Sequence, residues 1–172
     1  MKLYTIKDLL NYAAPCYWCG QNCNLFLSSE QHNKFRLIDF ENDILTFESA
    51  NGTFTFNIVG NQFKTNNLRL IKDYKYKFHL YCKCGLNHVS EIITFNTSNK
   101  INYIEPFEIS VRWDSYTSNS HISYIGVTEK NGEVEIVNSE RKIKIKMSEK
   151  SLRDFKNKEA LLERIKIYLL FS

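Results

Sequence analysis

The alternation of apolar and polar residues from position 24 to position 147 is the main structural signal in this chain. Short runs of period two are separated by Asn, Gly, Asp and Ser, a pattern that predicts β-strands joined by turns. In the clearest run, 44–59, apolar residues alternate on both sides of Asn51-Gly52. This predicts a hairpin whose type I′ turn is centred on these two residues. Asn131-Gly132 predicts a second hairpin, between 121–128 and 133–138.

Three further runs, 74–80, 107–113 and 142–147, show the same alternation. Each predicts a strand with one buried and one solvent-facing side. About nine or ten short strands at this spacing are typical of a β-sandwich or an open, curved sheet.

The two ends of the chain change to a helical period. Thr5 and Asp8 have the spacing of a capping box, which predicts a short helix over 5–13 that Pro15 ends. Asn157 is placed to cap a C-terminal helix with one apolar stripe. The stripe consists of Leu161, Leu162, Ile165, Tyr168 and Leu169.

These elements predict an α+β fold, mainly antiparallel β, with a short N-terminal helix and an amphipathic C-terminal helix. At 172 residues, with six Gly and two Pro and no linker-like run, the chain is expected to be one domain, 1–172. Within it, 27–80 is an insertion with a hairpin between two cysteine pairs, and 148–172 is a C-terminal helical segment.

The sequence also bears on the cellular compartment and on the distribution of charge along the chain. Residues 1–10 carry no apolar stretch of signal-peptide length and no membrane-spanning run is present, which predicts a cytosolic protein. The overall charge is +4, but residues 141–172 carry 10 Lys+Arg against 4 Asp+Glu. The basic character therefore lies in the C-terminal segment, as in proteins with anionic partners.

The five cysteines form two tight clusters, which points to a metal site and not to a disulfide framework. Cys16 and Cys19 form a C-x-x-C-G motif, and Cys82 and Cys84 form a C-x-C-G motif. Each trailing Gly lets the chain turn with a positive φ and direct amides towards the sulfurs. Four thiolates at about 2.3 Å make a closed, structural Zn²⁺ site that leaves no position for a water nucleophile. We expect one zinc ion per chain.

The two motifs resemble the four-cysteine sites of the zinc-ribbon and treble-clef proteins, in which a C-x-x-C-G knuckle meets a distant second cysteine pair. The resemblance covers 16–20 and 82–85 and implies a structural zinc. The Asn-, Ile-, Lys- and Phe-rich composition is similar to that of small proteins of AT-rich tailed bacteriophages, which implies a viral protein acting in the host cytosol.

Cys23 and His88 leave alternatives open at this site. Either residue can replace one of the four ligands, or lie beside the site as a free thiol and a neighbouring imidazole. The same two residues form a conceivable nucleophile and general base, which is the basis of an alternative hypothesis that the protein is an enzyme. Common nucleotide-binding, hydrolase and metalloprotease motifs are absent from the sequence, so we expect a non-enzymatic protein.

The basic segment 141–166 offers a nucleic-acid alternative. Lys142, Lys144 and Lys146 share one face of a predicted strand, and with Arg153 they are candidate contacts to a phosphate backbone. The competing interpretation is a solvated edge strand whose lysines block pairing with another sheet. We therefore predict a small zinc-stabilised binding protein with a protein partner, and nucleic acid as the alternative partner. The sequence leaves the oligomeric state open.

Overall fold

The computed structural model describes residues 1–30, 34–67, 69, 75–97, 101–119, 121–138, 141–146 and 152–171. For 115–119, 121–123, 146 and 169 it describes the backbone alone. Tyr74 of the predicted strand 74–80 and the start of the 148–172 segment lie outside these residues.

The described residues form one antiparallel sheet of thirteen strands, with a helix near each end of the chain. The helices are α1 (Ile6–Ala13), a 3₁₀ turn (Leu152–Asp154) and α2 (Lys158–Leu170). The first strands are β1 (Asn24–Ser29), β2 (Lys34–Glu41), β3 (Ile44–Ser49), β4 (Gly52–Asn57), β5 (Gln62–Thr65), β6 (Tyr76–Tyr81) and β7 (Leu86–Ser90). The others are β8 (Phe95–Asn96), β9 (Tyr103–Ile104), β10 (Ile109–Asn119), β11 (His121–Lys130), β12 (Glu133–Asn138) and β13 (Lys142–Lys146).

The strand order is β13-β12-β11-β10-β7-β6-β1-β2-β3-β4-β5-β9-β8. The predicted α+β class, mainly antiparallel β with a helix near each end, is therefore confirmed. Among the described residues, the helices are too short or too polar to cross a bilayer.

The half of the sheet from β6 to β8 curls back on itself. Phe56 on β4 lies 5.3 Å from Phe78 on β6, measured between ring centroids, although three strands separate β4 from β6 in the sheet order. The Ile93 amide, just before β8, donates to the Tyr76 carbonyl of β6 at 2.9 Å and joins the two ends of this half. We call this half the barrel half; its interior is rich in buried phenylalanine.

The other half is a meander of β7 and β10–β13, with the C-terminal elements packed on one face. Leu161 and Ile165 of α2 are buried with Leu152 of the 3₁₀ turn against Trp113 and Val127 of the sheet. As predicted, Asn157 caps α2, its side chain accepting from the Ala160 amide at 2.9 Å. We call this half the knuckle half, and the two cysteine loops pack against it.

The predicted capping box of α1 is also present. The Thr5 hydroxyl accepts from the Asp8 amide at 3.3 Å, and the Asp8 carboxylate accepts from the Thr5 amide at 2.8 Å. Ile6, Leu9 and Ala13 are buried, so α1 lies with its apolar face in the barrel interior.

One turn differs from its prediction. Ser49 pairs with Gly52, so the β3–β4 loop consists of Ala50 and Asn51 and is not centred on Asn51-Gly52. The Ser49 hydroxyl accepts from the Asn51 amide at 3.1 Å and supports this turn. At the β11–β12 hairpin the prediction is confirmed, since Asn131 and Gly132 have φ of 52° and 77°, as a type I′ turn requires.

Candidate metal centre

The first cysteine loop, Cys16–Gly20, directly follows α1. The Gly20 amide donates to the Cys16 carbonyl at 2.7 Å, and the Cys16 amide donates to the Gln21 carbonyl at 2.9 Å. Gly20 has φ of 73°, a left-handed conformation that glycine adopts without strain. These bonds close a tight turn that leaves Cys16 buried and Cys19 exposed.

The second loop joins β6 to β7. The Gly85 amide donates to the Cys82 carbonyl and the Cys82 amide to the Leu86 carbonyl, both at 2.9 Å. Gly85 has φ of 98°, and a Cβ there would lie 3.1 Å from the Asp114 carbonyl oxygen. Glycine is therefore required by conformation and by space.

The two loops bring four sulfur atoms together. The Sγ atoms of Cys16, Cys19, Cys82 and Cys84 all lie within 4.8 Å of one another. The distance from Cys16 to Cys84 is 3.8 Å and that from Cys19 to Cys82 is 3.2 Å. Sulfurs bound at about 2.3 Å to one tetrahedral ion would lie about 3.8 Å apart, whereas a disulfide needs about 2.05 Å. The spacing suits one metal ion and no disulfide.

Backbone amides favour the thiolate form at three of these sulfurs. The amides of Gln21, Cys84 and Leu86 donate to the sulfurs of Cys19, Cys82 and Cys84, in each case two residues earlier in the chain. At Cys82, burial disfavours the thiolate, but the hydrogen bonds from the Cys84 amide and the neighbouring thiols outweigh it and lower the pKa to about 7.

Burial has the opposite effect at another of the four sulfurs. Burial raises the pKa of Cys84 despite the Leu86 amide. A bound dication supplies the positive charge that four adjacent thiolates require.

Cys23 lies beside this cluster but outside the four mutually close sulfurs. Its thiol hydrogen-bonds with those of Cys16 and Cys82, and burial raises its pKa. His88 is 2% exposed and lies between Tyr12 and Tyr17, with ring centroids 6.5 and 5.8 Å away.

Tyr17 and Trp18, the two residues inside the C-x-x-C loop, fix that loop to the knuckle half. The Trp18 indole N–H donates to the Leu152 carbonyl at 3.3 Å, and its ring lies 6.0 Å from that of Trp113. Sequence reasoning missed this role, although the aromatic pair between two cysteines was a visible signal. The cysteine cluster is thus connected to the C-terminal segment through Trp18.

The candidate nucleic-acid contacts are placed on two different surfaces. Lys142 and Lys144 are exposed on β13, the edge strand, at 3.5 and 3.9 Å from the Glu135 carboxylate on β12. The Arg153 guanidinium lies 4.4 Å above the Tyr12 ring, and the Lys146 side chain lies outside the described part of the chain.

No protein-family model, curated protein or solved structure matches this chain. The function must therefore be inferred from the geometry of the site and of the surfaces around it.

Proposed function

We propose that this protein is a small, non-enzymatic binding protein stapled by one structural zinc ion. The observation that carries the proposal is the closed set of four sulfurs, supplied by two glycine-ended loops 63 to 68 residues apart in sequence. Four protein ligands satisfy tetrahedral zinc and leave no open position for substrate or water, which is typical of structural sites.

We assign zinc and not iron because a structural site requires no redox chemistry. Four thiolates in a tetrahedron suit either zinc or iron, but zinc has no redox chemistry and needs no electron-transfer partner. A colourless protein with one zinc is the expected result. Visible absorption from an iron–thiolate centre would overturn the assignment.

Native mass spectrometry of protein purified without chelator tests the ligand set. We expect one zinc per chain in the wild type, a marked loss in Cys82→Ala, and full occupancy in the matched variant Cys23→Ala. Loss of zinc in Cys23→Ala with retention in Cys84→Ala would place Cys23 in the ligand set instead.

The binding role of the protein is supported by its surface. Ile38 and Phe40, towards the C-terminal end of β2, are 48% and 55% exposed and offer apolar contact area to a partner protein. Cross-linking between the purified protein and its partner should reach this end of β2. Cross-links restricted to β13 would favour the basic edge as the contact surface.

Nucleic acid remains the alternative partner, and one observation favours it. Lys142 and Lys144 have side chains 63% and 76% exposed on the same edge strand. The Glu135 carboxylate lies 3.5 Å from the Lys142 ammonium and 3.9 Å from the Lys144 ammonium. It neutralises part of their charge, which weakens a contact with phosphate. A salt-dependent retention on DNA or RNA that requires these lysines would support this function.

A further inference from the structure

A cavity of about 410 Å³ lies between the N-terminal segment, α1 and the sheet. Its walls include Tyr4 and Tyr12, with His88, Glu129 and Arg153. This volume falls at the lower end of the range for small-molecule sites, about 300–1,000 Å³. The cavity is separate from the four sulfurs, and it does not depend on which metal they hold.

His88 is the buried polar group of this cavity. It is 2% exposed, and among the described residues neither ring nitrogen has a hydrogen-bond partner. The hydroxyl of the adjacent Tyr17 is also buried without a partner in that part of the chain. Buried polar atoms are almost always hydrogen-bonded, so these nitrogens call for a partner that the described residues do not supply.

The imidazole of His88 can serve both as donor and as acceptor. Burial, aided by the charge of Arg153, lowers the pKa of His88 to about 4, so the ring is neutral at physiological pH. A neutral imidazole has one N–H donor and one nitrogen acceptor. A matching ligand therefore presents an acceptor and a donor near each other.

The described residues that line the cavity also include two cationic side chains, Arg153 and Lys2, and the Glu129 carboxylate. The Arg153 guanidinium lies 4.4 Å above the Tyr12 ring, and the Lys2 ammonium lies 5.3 Å above the Tyr4 ring. Burial raises the pKa of Glu129, whose carboxylate accepts from the Gly132 amide at 3.2 Å. Arg153 and Lys2 outweigh Glu129, and a guanidinium fork suits phosphate or carboxylate.

We propose that this cavity binds a small organic anion that carries a planar ring with hydrogen-bonding edges. The ring would lie among the tyrosines and meet His88, and the anionic group would meet Arg153 and Lys2. A 5′-mononucleotide combines these features and is the probe to use. The proposal assigns Arg153 to a small-molecule site and not to the basic edge of β13.

Calorimetric titration of the purified, metal-containing protein tests the proposal. The probes are the four common 5′-mononucleotides, the nucleoside of the best one and inorganic phosphate. At least one mononucleotide should bind with a dissociation constant below about 1 mM, and the nucleoside and phosphate should each bind about tenfold more weakly or worse. The proposal is overturned by no binding of any mononucleotide, or by phosphate binding equally well.

Two variants locate the site. His88→Phe keeps a buried ring but removes both nitrogens, and Arg153→Gln removes the exposed cation; each should weaken mononucleotide binding about tenfold. Arg36→Gln, the same change at an exposed position on β2, should leave binding unchanged. Equal effects of Arg153→Gln and Arg36→Gln would show non-specific attraction and contradict the site. Unchanged zinc content in Arg153→Gln keeps this test valid even if His88→Phe misfolds.

Discussion

The barrel half and the knuckle half bury their side chains in different ways. Among the described residues, nineteen buried residues form the core of the barrel half, including three from α1 and Ile109 from β10, and phenylalanine rings meet across its interior. The core of the knuckle half has ten, of which Cys16 and Cys82 are two. Two of the candidate metal ligands are therefore part of the hydrophobic core of the knuckle half.

This difference indicates where a bound metal ion would act. Cys16 and Cys19 follow α1, and Cys82 and Cys84 follow β6, two elements whose apolar faces lie in the barrel interior. The loops themselves pack on the knuckle half through Trp18. A metal ion at this junction would link the small core of the knuckle half to the large core of the barrel half. This link would compensate for the limited apolar burial in the knuckle half.

Removal of the metal should have the largest effect on stability, and the two halves should respond differently. Structural zinc contributes about 10–16 kcal/mol in zinc-finger peptides. Even about 5 kcal/mol here lowers Tm by roughly 10–20 °C in a domain of this size. Hydrogen exchange after chelation should show loss of protection in the two cysteine loops and in 152–170, with β2–β5 protected.

The pattern of exchange is the critical observation. Equal loss of protection in β2–β5 would show that the barrel half has no independent stability. No change in 152–170 would contradict the coupling through Trp18. Zinc added back should restore protection in the cysteine loops.

Phe56→Ala should have the next largest effect and should act on the barrel half. Phe56 is fully buried and its ring meets those of Phe47, Phe63 and Phe78. Truncation of a buried Phe costs about 3–5 kcal/mol. Denaturant unfolding should show this loss while the folded protein still holds one metal ion.

Phe40→Ala is the matched control, because Phe40 is 55% exposed on β2 of the same half. Its effect should stay within about 0.5 kcal/mol. If Phe56→Ala also abolished metal binding in folded protein, the two cores would not be separable.

Trp18→Phe should have a smaller effect on stability, confined to the contact between the first cysteine loop and the knuckle half. The substitution removes the indole N–H that donates to Leu152 and keeps an aromatic ring against Trp113. We expect a loss of about 1 kcal/mol and faster exchange in 152–154, with metal retained.

Tyr17→Phe is the neighbouring control. The Tyr17 hydroxyl has no hydrogen-bond partner in the described part of the chain, so its removal should be neutral or slightly stabilising. Faster exchange of 152–154 in Tyr17→Phe, equal to that in Trp18→Phe, would assign the effect to general loosening of the loop.

Much of the fold was predictable because burial in a strand has a period of two. Residues 44–59 alternate clearly, and their hairpin forms as expected. The position of the β3–β4 turn was mispredicted. An Asn-Gly pair indicates which residues tolerate a positive φ, but it does not indicate where the pairing between the two strands ends. The Asn42-Asp43 turn, with φ of 52° and 62°, was missed because Phe40 and Ile44 beside it are exposed and give no burial pattern.

Only the part of the candidate site that short sequence motifs encode was predictable. The two cysteine pairs are local signals, and the structure brings them together. The environment of His88 depends on Tyr12 and Tyr17 from one end of the chain and Arg153 from the other. No local pattern encodes that assembly, so the cavity could not be found from sequence.

The smallest stability effect is expected at the basic edge, in the double variant with Lys142→Gln and Lys144→Gln. Both side chains are exposed, and exposed ion pairs contribute little, so the free energy of unfolding should change by less than about 0.5 kcal/mol. If this edge binds nucleic acid, the salt dependence of binding should fall by up to about two units of slope. Binding measured near 50 mM salt checks this. A wild type that binds neither single- nor double-stranded nucleic acid there would leave a protein partner as the proposed function, because counterion release is most favourable at low salt.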